Sequence, residues 1–195
     1  MHPALARNLF LVKEHAGLFK ASNNYDVFDP HTGEEILHCR EPYLGSITKL
    51  LRFTDYKRNT PFNIVVTTPS GDPVVRVSRG ISLFLSKVDV FDESNDRIGG
   101  FRQKVFSIGG AFNVLDEDDV VLCQLKGKWT SWEFRFQKDG VEFAKVSKKW
   151  TGFSREMFTS ADTYMLEIQD RVPAESELRV LILGAVFCID MVLKE

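Results

Sequence analysis

Leu178-Arg179-Val180-Leu181-Ile182-Leu183-Gly184-Ala185-Val186-Phe187-Cys188-Ile189-Asp190-Met191-Val192-Leu193 is the longest apolar stretch of the chain, and its reading decides the fold. Between Val180 and Ile189 no residue is charged or strongly polar, so a helix here is apolar on every side. Such a helix belongs in a membrane or in the middle of a protein core. Crossing the hydrocarbon takes about 20 apolar residues, whereas roughly 10–14 suit a buried core helix. Arg179 closes one end and Asp190 interrupts the other, and a charge near the bilayer centre costs at least ~2.5 kcal/mol. These lengths favour the core. Glu175 and Glu177 lie where a helix start favours negative charge, and Pro173 or Ser176 helps to begin it. A continuous apolar run also fits a buried strand, which periodicity alone does not separate from a helix.

Upstream of that stretch the pattern changes to period two. Asn8–Lys13 reads as a first strand. Five hairpins follow: Asn24–Asp29 with Glu35–Arg40, Phe62–Thr67 with Val74–Ser78, Lys87–Phe91 with Arg97–Phe101, Phe112–Leu115 with Val120–Leu125, and Trp132–Phe136 with Val141–Val146. Each pair flanks a turn rich in Asp, Gly, Asn or Pro, and the last four turns recur roughly every 22–24 residues. No helical period interrupts the middle of the chain. Alternating strands without intervening helices make a meander, and an open sheet this long curls or closes. The expected fold is all-β with one buried helix: a closed antiparallel barrel of repeated hairpins around the C-terminal segment.

The 195 residues fit a single domain, 1–195. Hydrophobic residues make up 44% and charged residues 27%, the balance of a soluble globular chain. A net charge of -2 gives no overall basic field, so nucleic acid is not an expected partner. Arg7 and Lys13 interrupt the only early apolar segment, so no signal peptide is read. Cys39, Cys123 and Cys188 are odd in number and far apart, which suggests neither a disulfide framework nor a zinc site. An intracellular protein is expected, cytoplasmic or peripheral at the cytoplasmic face of a membrane, and monomeric.

The last third resembles the phospholipid scramblases. The resemblance is carried by Ala144-Lys-Val-Ser-Lys-Lys-Trp-Thr-Gly-Phe-Ser-Arg-Glu-Met-Phe-Thr-Ser-Ala-Asp162 and by Leu183-Gly-Ala-Val-Phe-Cys-Ile-Asp190. Family members read G-K-I-S-K-x-W-x-G-x-x-R-E-x-F-T-D-A-D and I-G-A-C-F-L-I-D at these places. The resemblance implies the barrel shared with tubby and the LURP-one-like proteins, about twelve strands threaded by a hydrophobic C-terminal helix. It also implies calcium-responsive movement of phospholipid between leaflets, with the same helix proposed as a membrane anchor. The family's calcium loop begins at a position that is Ser160 here. Asp162 is kept, Glu167 and Asp170 are the nearby acids, and Met165 and Arg171 replace the turn glycine and the closing acid. Ca2+ wants six to eight oxygens, so the ligand set is incomplete. The Pro-rich N-terminal region and palmitoylated cysteines of longer animal members have no counterpart in these 195 residues.

No catalytic constellation is legible. His38 and Cys39 are adjacent on a strand, so their side chains face opposite ways and form no nucleophile pair. Asp116-Glu-Asp-Asp119 sits at a hairpin tip and reads as a solvated turn. Gly99-Gly100 and Gly109-Gly110 read as kinks or bulges of a curved sheet. The candidate headgroup-binding set is Lys126, Lys128, Lys145, Lys148, Lys149 and Arg155, with Trp129 and Trp150 beside them. Cations next to tryptophan suit an anionic interface, although lysines also keep sheet edges soluble. Two readings follow. One is a scramblase-family protein that binds or moves anionic phospholipid at a membrane. The other is a soluble phosphoinositide-binding or protein-interaction module without transport activity.

Overall fold

The computed structural model describes residues 1–15, 22, 24–42, 44–54, 59–81, 87–104, 111–128, 132–148 and 163–193. Twelve strands form one closed antiparallel barrel: β1 Leu9–Glu14, β2 Tyr25–Phe28, β3 Glu35–Arg40, β4 Phe62–Thr67, β5 Pro73–Arg79, β6 Lys87–Phe91, β7 Arg97–Gln103, β8 Ala111–Leu115, β9 Val121–Lys128, β10 Glu133–Lys138, β11 Val141–Ser147 and β12 Thr163–Ile168. Each strand pairs with its neighbour in sequence, and β1 pairs with β12 to close the ring. A short 3-10 turn, Pro3–Ala6, precedes β1. The helix α1, Ser46–Leu51, lies between β3 and β4, and α2, Glu177–Leu193, follows β12.

The five expected hairpins are all present, and they share a device that only the register reveals. Each carries one irregularity just before its turn: at Val27/Phe28, Val66/Thr67, Val90/Phe91, Val114/Leu115 and Phe136/Gln137. An extra residue on one strand sharpens local twist and bends the sheet, which a closed barrel requires at regular intervals. The turns repeat a motif as well. Asp29 Oδ1 accepts from the amides of His31 and Thr32, Asp92 Oδ1 from Ser94 and Asp96, and Asp116 Oδ1 from Asp118 and Val120. The acidic tips are therefore turn-closing side chains. At Gly99, with φ at 143°, a Cβ would fall 2.1 Å from the Leu115 carbonyl oxygen, and at Gly100 the same distance from that of Val88. These glycines let neighbouring strands approach, as the kink reading expected.

α2 fills the ring. Val180–Phe187 and the two residues after it are buried apart from contacts with the barrel wall, in one core with the inward side chains of the strands. The Phe187 ring lies 5.5 Å from Tyr25 on β2, and a Cβ at Gly184 would sit 3.2 Å from Val77 on β5 and 3.5 Å from Val90 on β6. Between the helix and β6 to β9 remains an apolar void of about 10 Å³, lined by Val88, Phe101, Phe112, Leu125, Ala185, Cys188 and Ile189. That is the space of a single small probe sphere, far below what an acyl chain occupies. No helix among the described residues is long and apolar enough to cross a membrane.

Two expectations need correction. α1 is a helix in the middle of the chain, where none was read. The stretch assigned to a calcium loop contains β12, in which Met165 is buried in mid-strand where a turn glycine was expected.

The meander gives the barrel two unlike ends. The tight turns and the β12–α2 connection lie at one end, here the turn end. The connections β1–β2, β3–β4, β5–β6, β7–β8, β9–β10 and β11–β12 leave from the other, the loop end. α2 enters at the turn end, where Arg179 donates to the carbonyls of Leu5, Arg7, Val172 and Pro173 and to Asn8 Oδ1, and it runs toward the loop end.

Candidate functional site

Inward residues of β9, β10 and β11 are apolar: Cys123, Leu125, Phe134, Phe136, Ala144 and Val146 are buried. Period two therefore turns Lys126, Arg135 and Lys145 outward, and the register sets them side by side. Lys126 lies opposite Arg135, and Arg135 opposite Lys145. Glu167 on β12 extends the row. One step nearer the loop end, Glu133 is registered between Lys128 and Ser147. The strand pairing thus brings together three of the sequence-selected lysines and adds Arg135, which the sequence reading missed.

Carboxylates punctuate the row. Glu133 Oε1 accepts from Arg135 Nη2 at 2.6 Å and lies 3.5 Å from Lys145 Nζ, while Glu142 Oε2 is 3.1 Å from Arg135 Nη1. The hydrogen bond from Arg135 and the charge of Lys145 hold the Glu133 carboxyl below its ordinary range, and the same bond raises Arg135. Toward the turn end the face opens into a cleft lined by Val121, Gln124, Lys126, Gln137, Lys138, Asp139 and Gly140.

At the rim, Lys148 Nζ sits 3.9 Å over the Trp132 ring, which stacks on Tyr164 at 6.0 Å and meets Phe134 edge-on. Trp132 has φ at 49°, an uncommon conformation for so large a residue. The pairing of cation and indole expected for this face is therefore made by Trp132 and Lys148. Lys149, Arg155, Trp129 and Trp150 lie outside the described residues.

The acids of the calcium reading are not gathered into a site. Glu167 stands within β12 next to Lys145, and Asp170 accepts from Asn8 Nδ2 at 2.5 Å. Asp162 lies outside the described residues. Among the described residues Glu167 and Asp170 meet no third ligand, so they do not fit a calcium ion. One group of donors does converge, Asp26, Glu35 and His38, on the outside of β2 and β3. Its members are already paired: Asp26 with His15 and with Arg40 Nη2 at 2.5 Å, and Glu35 with His38 at 3.1 Å. Burial pushes the Asp26 carboxyl up, and the bonds from His15 and Arg40 outweigh it and hold it below its ordinary value. Cys39 points inward and is buried while His38 faces out, as strand geometry requires. All three thiols are free and buried, and burial raises the Cys123 thiol to about 12.

Comparison with known proteins adds fold and lineage. A solved protein of Arabidopsis thaliana superposes with a TM-score of 0.54 over 97% of this chain and 94% of its own, at 14% identity, a likeness of fold alone. Human phospholipid scramblase 1 is 27% identical over 132 residues, which are 68% of this chain and 36% of that protein. The match thus spans little more than a third of the human relative's length. The scramblase profile matches residues 12–195, from within β1 through the helix that fills the barrel, and the chain belongs to the scramblase family.

Proposed function

We propose that this protein binds anionic phospholipid headgroups peripherally, through the basic rows of β9 to β11, and that any lipid it moves passes along the outside of the barrel. The observation that carries this reading is the cross-strand row Lys126–Arg135–Lys145, continued at the rim by Lys148 over Trp132. Near an anionic surface each such cation contributes about 1 kcal/mol, and an indole settles at the polar–apolar boundary. The filled lumen supports the second clause, since its residual void is about 10 Å³. The likeness to human phospholipid scramblase 1 supports the choice of phospholipid as ligand.

Glu133 and Glu142 compete with a headgroup for Arg135 and Lys145, which makes the reading testable in both directions. The full chain is sedimented with phosphatidylcholine vesicles, with and without phosphatidylserine, at low and raised salt. Binding should require phosphatidylserine and weaken with salt. Lys126→Glu with Lys145→Glu should abolish it, whereas Glu133→Gln with Glu142→Gln should tighten it. Wild-type protein that ignores anionic vesicles at low salt would remove the proposal.

A further inference from the structure

We propose that the loop end is the pole that docks on an anionic bilayer, with the corner formed by α1 and the end of β5 seated in the lipid interface. The proposal rests on the headgroup reading above and adds to it an orientation and an apolar contact. Large hydrophobic side chains exposed among the described residues divide by end. Leu50, Leu51, Phe53 and Ile81 stand at the loop end, with Leu50 69%, Phe53 58% and Ile81 76% exposed. Met1, Val120 and Val141 are spread over the turn end.

The loop-end group is held outward by a buried polar frame. Arg52 makes a two-pronged bond to Glu41, at 2.5 and 2.6 Å, and donates to the Pro61 carbonyl at 2.9 Å. Arg79 Nη2 donates to the Thr60 carbonyl at 2.6 Å, and its guanidinium lies over Phe62, the register partner of Arg79. Phe53 follows Arg52 and Ile81 lies two residues past Arg79, so both apolar tips rise from anchored backbone at one corner. A folded protein gains nothing by presenting such residues to water. They suit a medium with an apolar interior.

Charge selects the medium. The loop end displays exposed Lys49, Lys87, Arg102 and Lys104, and the turn end displays Asp72, Asp96, Glu117, Asp118 and Asp139. The net charge of -2 conceals this separation. An anionic leaflet attracts the first end and repels the second, which sets an orientation before contact. The basic rows of β9 to β11 reach the same rim from the far side of the ring, five to six strands from β4 and β5. One plane laid across the loop end therefore meets headgroup cations on one side and apolar tips on the other.

Buried native thiols allow single exposed positions to be labelled. Ile81→Cys and Val120→Cys would each carry an environment-sensitive fluorophore, and each labelled full chain would be mixed with phosphatidylcholine vesicles with or without phosphatidylserine. The position-81 label should shift to the blue only with anionic vesicles, and the position-120 label should not shift. In parallel, Phe53→Asp with Ile81→Asp should weaken vesicle binding by ~10-fold or more, since burying one large apolar side chain shifts an equilibrium by about one to two powers of ten. The melting temperature of that variant should stay unchanged, because both side chains are exposed. Vesicle binding with a silent position-81 label, or a shift at position 120 instead, would overturn the docking pole and leave the headgroup reading intact. A position-81 shift that needs only more protein would mean self-association and would also overturn it. Absence of wild-type binding would remove both.

Discussion

Glu41 and Arg52 form an ion pair whose side chains are almost completely buried, and the pair holds α1 against the mouth of the barrel. Such a pair offsets a large desolvation cost with its own attraction, so removing one member leaves an uncompensated charge inside. Glu41→Gln should therefore destabilise the fold by ~3–5 kcal/mol, while the double change Glu41→Leu with Arg52→Met should cost far less, both read from urea denaturation. Asp26 gives the pH dependence. Its carboxyl titrates below 3.8 in the folded protein, so the bonds from His15 and Arg40 stabilise the fold above that pH. That contribution is lost as pH falls through the lower folded value. Melting temperature should drop below about pH 3.8, and Asp26→Asn should be less stable at neutral pH with a shallower acid limb. None of these partnerships was legible in the chain, because Glu41 meets Arg52, and Asp26 meets Arg40, only after the strands have set their registers.

At the scale of elements, α2 and the hairpins could be read and two segments could not. Uniform apolarity marks a helix that is buried all round, and alternation broken by Asp or Gly marks a hairpin. β12, Thr-Tyr-Met-Leu-Glu-Ile, lacks alternation because it is buried on both faces over its first four residues. α1 is too short, at six residues, to show a helical period. The position of β12 bears on calcium. With Glu167 inside a strand and Asp170 bonded to Asn8, a calorimetric titration should show Ca2+ affinity no tighter than ~10⁻⁴ M. Micromolar binding lost on Asp162→Ala would contradict this. For α2 the contact at Gly184 decides. Gly184→Leu should cost ~1–3 kcal/mol by overpacking against Val77 and Val90, and Leu183→Asp should be worse, because a buried ion there has no partner. Ending the chain at Pro173 should leave the inward side of every hairpin bare and give insoluble protein. A soluble, cooperatively melting product would show instead that barrel and helix are independent.

At the scale of the whole molecule, the polarity of the ends was invisible in the sequence although every residue that makes it was in view. Acidic tips and basic returns alternate along the chain, so their charges nearly cancel in any count. The meander sorts them, sending each turn to one end and each longer connection to the other. Sequence reading chose lysines near tryptophans and found the β9–β11 face in part. Arg135 was passed over because it sits between two glutamates, and the apolar corner because Leu50, Leu51 and Phe53 read as ordinary core. The enclosed helix also has a consequence for biosynthesis. α2 is translated after every strand, so a ribosome that has just delivered β12 has released a sheet whose inner side chains, Val77, Val90, Phe101 and Phe112 among them, have nothing to close on. Folding then waits for the last element to leave the exit tunnel, and until that moment the nascent chain is a substrate for chaperones. Protease protection of stalled nascent chains should appear abruptly once α2 has emerged. Gradual protection, hairpin by hairpin, would show that the sheet holds its shape without its filling.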